Sequence, residues 1–277
     1  MVSSDPGTID ALLLEQFVRP MLQRLLLGSR PVVALQACVG AGKTTLSRQL
    51  QALAAQAGLR LAVASIDDAY LPWGERQLRL AGNPFGVNRV PPGSHDPELL
   101  RAAIADWRRG ADLRLPRFDK TLRHGEGDRC GWSQAEADAL LLEGWLVGYE
   151  PQGSTAITAW LDTPGCALSS VEKAWLPRWN RALESYQPLW QCCDSFWVLQ
   201  PADWSWVRRW RLQAEARQRR RGQSAMAAVA IAQMVRATLA SLPPELYQPG
   251  LDARAEAVAV LDRRRRCLAI RPRLRRP

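Results

Sequence analysis

The sequence predicts an α/β fold, a parallel sheet with helices on both faces. Three observations predict it. A buried apolar strand at 31–36 runs through a small-residue loop into a helix. A second apolar run, 59–66, follows that helix, which makes a right-handed βαβ unit. Further short apolar runs at 139–142, 196–199 and 257–261 alternate with helical patterns. Near-continuous apolar strands of this kind suit a parallel sheet covered on both sides.

The first of these segments carries chemistry. Residues 37–45 read Ala-Cys-Val-Gly-Ala-Gly-Lys-Thr-Thr. A phosphate-binding loop has this order: backbone N–H groups cradle phosphate oxygens, a lysine reaches the terminal phosphates, and a hydroxyl holds Mg²⁺. Gly40, Ala41, Gly42, Lys43, Thr44 and Thr45 are therefore the candidate nucleotide-binding residues, with Lys43 on phosphate and Thr44 on the metal. Gly40 and Gly42 let the backbone curl close to a ligand. The helix that follows points its positive end at the phosphates. The general pattern begins with Gly, and Ala37 stands in that place.

Taken in order, 9–27 is a helix with leucines on one face and a kink expected at Pro20. The helix 44–57 is closed by Gly58. The run 59–66 ends in Asp67-Asp68, beyond the carboxyl end of its strand, where ligands of open α/β sheets bind. Residues 72–96, rich in Pro, Gly and Asn, read as a long irregular segment of functional type. Asp96 caps a helix to about 109. Loops follow at 116–120 and 125–129, then a buried strand ending in Glu143-Gly144-Trp145. Residues 153–165 read as a loop, 168–191 as a helix with tryptophans on its apolar face, 204–221 as a strongly basic helix and 225–242 as an apolar-faced one. With no repeat and no low-complexity linker, residues 1–277 are expected to form one domain with a basic tail at about 263–277.

Several side chains beyond the loop suggest a reaction. Phosphoryl transfer to a hydroxyl needs a carboxylate to orient the nucleophile and accept its proton, and Asp67 or Asp68 could supply it. A pair of turn or capping aspartates is the plain alternative. Glu143 ends its strand as an acid holding Mg²⁺ or its water would, although a surface Glu there is common. Arg208, Arg209 and Arg211 on the basic helix could close over the phosphates as a lid, or form a solvated face. Asp162-Thr163-Pro164-Gly165 imitates a GTPase motif, but no lysine stands in a guanine-reading Asn-Lys-x-Asp sequence, so it is read as a turn.

Composition sharpens this. The net charge of +10 is concentrated in eight arginines after Asp262, which leave about +2 for the rest of the chain. That distribution argues for a solvated tail over a nucleic-acid footprint. Only Lys43, Lys120 and Lys173 among 37 basic residues are lysine, so Lys120 attracts suspicion as a point charge that arginine would not replace. An acidic acceptor would need its carboxylate neutralised. His95, Arg117, Lys120 and Arg129 are the available groups on the loops after 66, unless they merely pair with Asp96, Asp119 and Asp128. The six cysteines show no metal spacing, and no apolar run reaches the ~18 residues that span a bilayer, so a reduced cytoplasmic protein is expected.

Together these segments resemble the plant-type D-glycerate 3-kinase family of P-loop kinases. The matching pieces are 37–45, Ser65-Ile66-Asp67-Asp68-Ala69-Tyr70-Leu71, Asn83-Pro84, Pro92-Gly93-Ser94-His95-Asp96, Pro116-Arg117-Phe118-Asp119-Lys120, Gly125-Glu126-Gly127-Asp128-Arg129, residues 142–149 and Trp210-Arg211-Leu212-Gln213-Ala214-Glu215. The family begins its phosphate loop with Ala, as here, but usually has Pro at the place of Cys38 and Phe at that of Ala69. Its Tyr-x-Pro-x-Tyr element is absent from 238–243. The resemblance implies a P-loop kinase fold, with a five-stranded parallel sheet, helices on both faces and a basic lid helix. It implies ATP and Mg²⁺ as cofactors and transfer to the 3-hydroxyl of D-glycerate, a photorespiratory salvage step. By that pattern Asp67 is the better base candidate than Asp68, and Glu143 is the Mg²⁺-associated acid. With the residues read above, Asp67, Lys43 and Arg211 are the candidates for catalysis and Arg208 for the nucleotide. Asp68, Tyr70, His95, Arg117, Lys120 and Arg129 go to the substrate, and Thr44 and Glu143 to the metal. The same chemistry on another hydroxylated metabolite, or a non-catalytic P-loop regulator, are the alternatives.

Overall fold

The computed structural model describes residues 10–220, 222 and 226–273. The strands are β1 (Val32–Ala37), β2 (Leu61–Ser65), β3 (Leu113–Asp119), β4 (Asp128–Ala135), β5 (Ala139–Gly144), β6 (Ser195–Pro201), β7 (Ala257–Leu261) and β8 (Cys267–Pro272). The central sheet has the order β2-β5-β1-β6-β7-β8. Its first five strands are parallel, as expected, and β8 adds an antiparallel edge to β7.

The period of two along β1 divides the core. Val32 and Ala34 pack on one face, with Leu100, Ile104 and Trp107 of the helix Pro97–Arg108 and Leu176 and Trp179 of the helix Ser170–Ala182. Val33 and Leu35 pack on the other, with Phe17 and Met21, Leu46 and Leu50 of the helix Lys43–Gln56, and Val207 and Trp210 of the helix Trp206–Arg220. Every residue of β1 is buried.

The structure departs from the sequence reading in five places. The irregularity expected at Pro20 is a π turn, Leu14–Val18, just before it. Proline lacks the N–H that an unbroken ladder needs there. The segment 72–96 contains a helix, Trp73–Leu80, begun after Pro72. Residues 153–165 contain the helix Ser154–Leu161. Residues 113–135 form a separate hairpin of β3 and β4, with a bulge between Pro116 and Phe118. Part of the expected solvated tail is the strand β8, whose Arg271 pairs with Asp252 at 3.0 Å. Residues 274–277, the rest of that tail, lie outside the described residues. Among the described residues no helix is long and apolar enough to cross a membrane.

A chain ended after Arg266 would lose β8, its ladder with β7 and the bond from the Cys267 N–H to Asp10. We expect its melting temperature to fall by about 5 °C or more, measured by circular dichroism. A fall within 1 °C would show that β8 contributes nothing to the sheet.

Candidate active site

The carboxyl ends of β2, β5 and β1 lie side by side, and the site is built on them. Ser65 of β2 stands level with Glu143 of β5, which stands level with Leu35 of β1. The phosphate loop leaves β1. Gly40 (φ +80) and Gly42 (φ +107) take the left-handed conformation, and Gly42 caps the helix Lys43–Gln56. A Cβ at Gly40 would lie 2.8 Å from the carbonyl carbon of Trp210. The loop backbone therefore rests directly on the basic helix. Gly40→Ala is expected to cost about 2 kcal/mol or more, from the backbone conformation and the clash together. It should also abolish ADP binding by titration calorimetry, and binding at wild-type affinity would refute the packing.

Lys43 curls back over the loop: its Nζ donates to the carbonyls of Ala37 (3.1 Å) and Cys38 (3.4 Å) and lies 3.9 Å from a Glu143 oxygen. That oxygen, Oε2, is buried and accepts no hydrogen bond. A buried carboxylate oxygen without a donor, beside Lys43 and the exposed Thr44, fits a divalent cation. Among the described residues no three acidic, His or Cys side chains converge on a metal site. Such an ion would thus need phosphate and water as its remaining ligands, as Mg²⁺ commonly takes. Gly144 after Glu143 has a local reason: a side chain there would strike Ile66, so the turn carrying Asp67 could not pack.

That turn, Ile66–Ala69, is capped by Ser65, whose Oγ accepts the Asp67 N–H at 3.3 Å. Lys120 Nζ donates to Asp67 Oδ2 at 2.6 Å, and His95 Nε2 lies 3.9 Å from Oδ1. Burial opposes the Asp67 charge, but Lys120 and His95 outweigh it and hold the carboxyl well below the usual range. Asp68 goes the other way, raised by burial and by Asp67 itself. The two adjacent carboxyls are thus pushed in opposite directions, Asp67 down and Asp68 up.

His95 is fully enclosed. Its ring stacks on Tyr70 (centroids 4.1 Å, planes at 19°), and Nδ1 lies 2.8 Å from the Tyr186 hydroxyl. That hydroxyl accepts the Gly93 N–H at 3.1 Å, so its own proton goes to Nδ1. This assigns the tautomer: Nε2 carries the proton and has no partner. Burial lowers the His95 pKa, so the ring is neutral near pH 7. Nε2–H is then a free donor beside Asp67. Burial and Asp67 both raise the Tyr70 phenol far above its ordinary value.

The remaining candidates are less central. Arg129 donates to the Tyr70 carbonyl (2.9 Å) and to Asp96 (3.2 Å), which fastens the loops to one another. Arg117 is exposed on β3. Arg208 and Arg209 are exposed on the basic helix, while Arg211 pairs with the buried Glu215. Sequence reasoning missed Tyr186, and it missed Arg76 and Arg89. Arg76 is entirely buried and donates to the carbonyls of Asn88, Leu71, Glu126 and Gly127. Arg89 donates to Gly125 and Glu126 from one nitrogen. Both arginines hold the 125–127 loop by its backbone.

No family model matches the chain. The chain is 33% identical over 208 residues to D-glycerate 3-kinase, chloroplastic, of Arabidopsis thaliana, covering 70% of this chain and 43% of that one. It is 32% identical over 194 residues to the uncharacterized kinase mug58 of Schizosaccharomyces pombe, covering 64% of this chain and 66% of that one. The chain thus spans less than two thirds of either curated relative. Among solved structures it is similar to a D-glycerate 3-kinase from Cryptococcus neoformans var. grubii, with a TM-score of 0.77 and 27% identity over 95% of this chain and 99% of that one.

Proposed function

From its P-loop kinase fold and its kinship to D-glycerate 3-kinase, we propose that this chain transfers the γ-phosphoryl group of ATP to the 3-hydroxyl of D-glycerate, giving 3-phosphoglycerate and ADP. One observation carries the reading: Asp67, paired with Lys120 and with the His95 Nε2 donor 3.9 Å away, at the carboxyl end of the strand two places from the phosphate loop. A protein that only bound nucleotide would have no use for a carboxylate held in that state.

The acceptor hydroxyl donates its hydrogen bond to Asp67. Its oxygen bonds to the γ-phosphorus as the bond to the ADP oxygen breaks, and the proton passes to the Asp67 carboxylate. A carboxylate of lowered pKa orients the nucleophile more than it drives proton removal. That suits a loose transition state, in which the proton leaves late. Lys43 and the loop N–H groups hold the β- and γ-phosphates, and Arg208 and Arg211 lie on the lid helix that Gly40 touches at Trp210 and Arg211. Thr44 and Glu143 would hold Mg²⁺, which neutralises charge on the phosphates when bound. His95 Nε2–H and Lys120 are the donors for an acidic acceptor.

Consumption of ATP should be measured against a panel of hydroxy acids, nucleosides and sugar phosphates. We expect D-glycerate to give the highest kcat/KM, with 3-phosphoglycerate as product. A neutral nucleoside as the best acceptor would refute the substrate, and no turnover with any acceptor would refute the kinase reading.

A further inference from the structure

The turn between β7 and β8 reaches the phosphate loop. Because β7 is parallel to β1, its carboxyl end lies at the same edge of the sheet as the site. Asp262 shapes the turn: its Oδ1 accepts the N–H groups of Arg264 and Arg266 at 2.7 and 2.8 Å. Arg265 is thereby held at φ +67, a conformation that non-glycine residues adopt at a cost of about 1 kcal/mol or more.

The side chain uses all three of its nitrogens. Nε donates to the Gly40 carbonyl at 2.7 Å, Nη1 to Gln213 Oε1 at 2.8 Å and Nη2 to the Trp210 carbonyl at 3.0 Å. The guanidinium also stands 5.3 Å over the Trp210 ring. One planar fork therefore joins the phosphate loop to the basic helix at the place where Gly40 already touches that helix. No acidic side chain among the described residues pairs with it. Burial lowers its pKa to about 10, which still leaves it charged at neutral pH. A half-buried cation without a counter-ion beside a phosphate loop has its complement in the phosphates of a bound nucleotide.

We infer that Arg265 is a positioning residue for nucleotide binding: it fixes the Gly40 end of the phosphate loop to the lid helix and adds fixed positive charge beside it. The inference rests on the proposed nucleotide site but not on the identity of the acceptor. Titration with ADP therefore tests it even if glycerate is the wrong substrate.

Arg265→Ala and Arg265→Lys should be compared with Arg264→Ala, which removes an equal but exposed charge on the same turn. For Arg265→Ala we expect the ADP dissociation constant and the KM for ATP to rise about tenfold or more. The KM for the acceptor should stay within about threefold. Arg265→Lys should recover less than half of the loss on a logarithmic scale, since an ammonium cannot reach three acceptors in one plane. Arg264→Ala should match the wild type. If Arg265→Ala does not fold, the lysine variant carries the test alone through its ADP affinity. Folded Arg265 variants with wild-type ADP affinity would overturn the inference. So would equal losses in the KM values for ATP and acceptor, or a loss in Arg264→Ala as large as that in Arg265→Ala.

Discussion

Lys43→Ala is expected to lose about 10³-fold or more in kcat/KM for ATP, since a clamp on the transferring phosphoryl group typically supplies several kcal/mol. The geometry makes the loss specific. Lys43 bonds to the carbonyls of Ala37 and Cys38 and neighbours Glu143. Its removal deprives the Glu143 carboxylate of its nearest cation, so a modest fall in stability accompanies the kinetic loss. Single-turnover measurement of phosphoryl transfer with saturating acceptor separates the two effects. A variant that keeps more than a tenth of wild-type activity would remove Lys43 from the reaction.

Asp67→Asn should lower kcat by about 10²–10⁴-fold with little change in ADP affinity, as expected of a side chain that serves the acceptor and not the nucleotide. Equal loss in both would move Asp67 to a metal role. The pH profile gives a second measure. A base must be deprotonated to act, and Lys120 and His95 hold Asp67 well below the ordinary carboxylate range. The acid limb of kcat/KM assigned to this group should therefore lie below that range. Lys120→Met removes the strongest opposing charge, so the Asp67 pKa rises and the acid limb moves to higher pH. An acid limb unmoved in Lys120→Met would separate Lys120 from the base.

The parallel strands were legible because strands buried on both faces are largely apolar, as 32–35 and 139–142 are. The hairpin of β3 and β4 was not. It lies outside the central sheet, β4 is largely exposed, and the bulge at Pro116 breaks the alternation that Leu113 and Leu115 begin. The phosphate loop was legible because its parts are contiguous. Lys120 stood out by its rarity, and the structure sets it on Asp67, 53 residues away in sequence. Tyr186 and Arg265 gave no local signal. Their partners, His95 and Gly40, are 91 and 225 residues distant, and an arginine amid a run of four cannot be told from its neighbours by composition.

The burial of β1 and of the start of the phosphate loop has a consequence for oxidation. Cys38 sits in that loop, at the place where the resembling family usually has Pro, yet it is 2% exposed. Burial pushes its thiol up to about 12. Oxidants and alkylating reagents attack the thiolate, and at neutral pH this cysteine offers almost none. Peroxide or iodoacetamide should modify the exposed Cys130 on the hairpin well before Cys38. The nucleotide loop thus carries a sulfur atom without becoming a redox sensor, and mild thiol labelling should leave ATP binding intact.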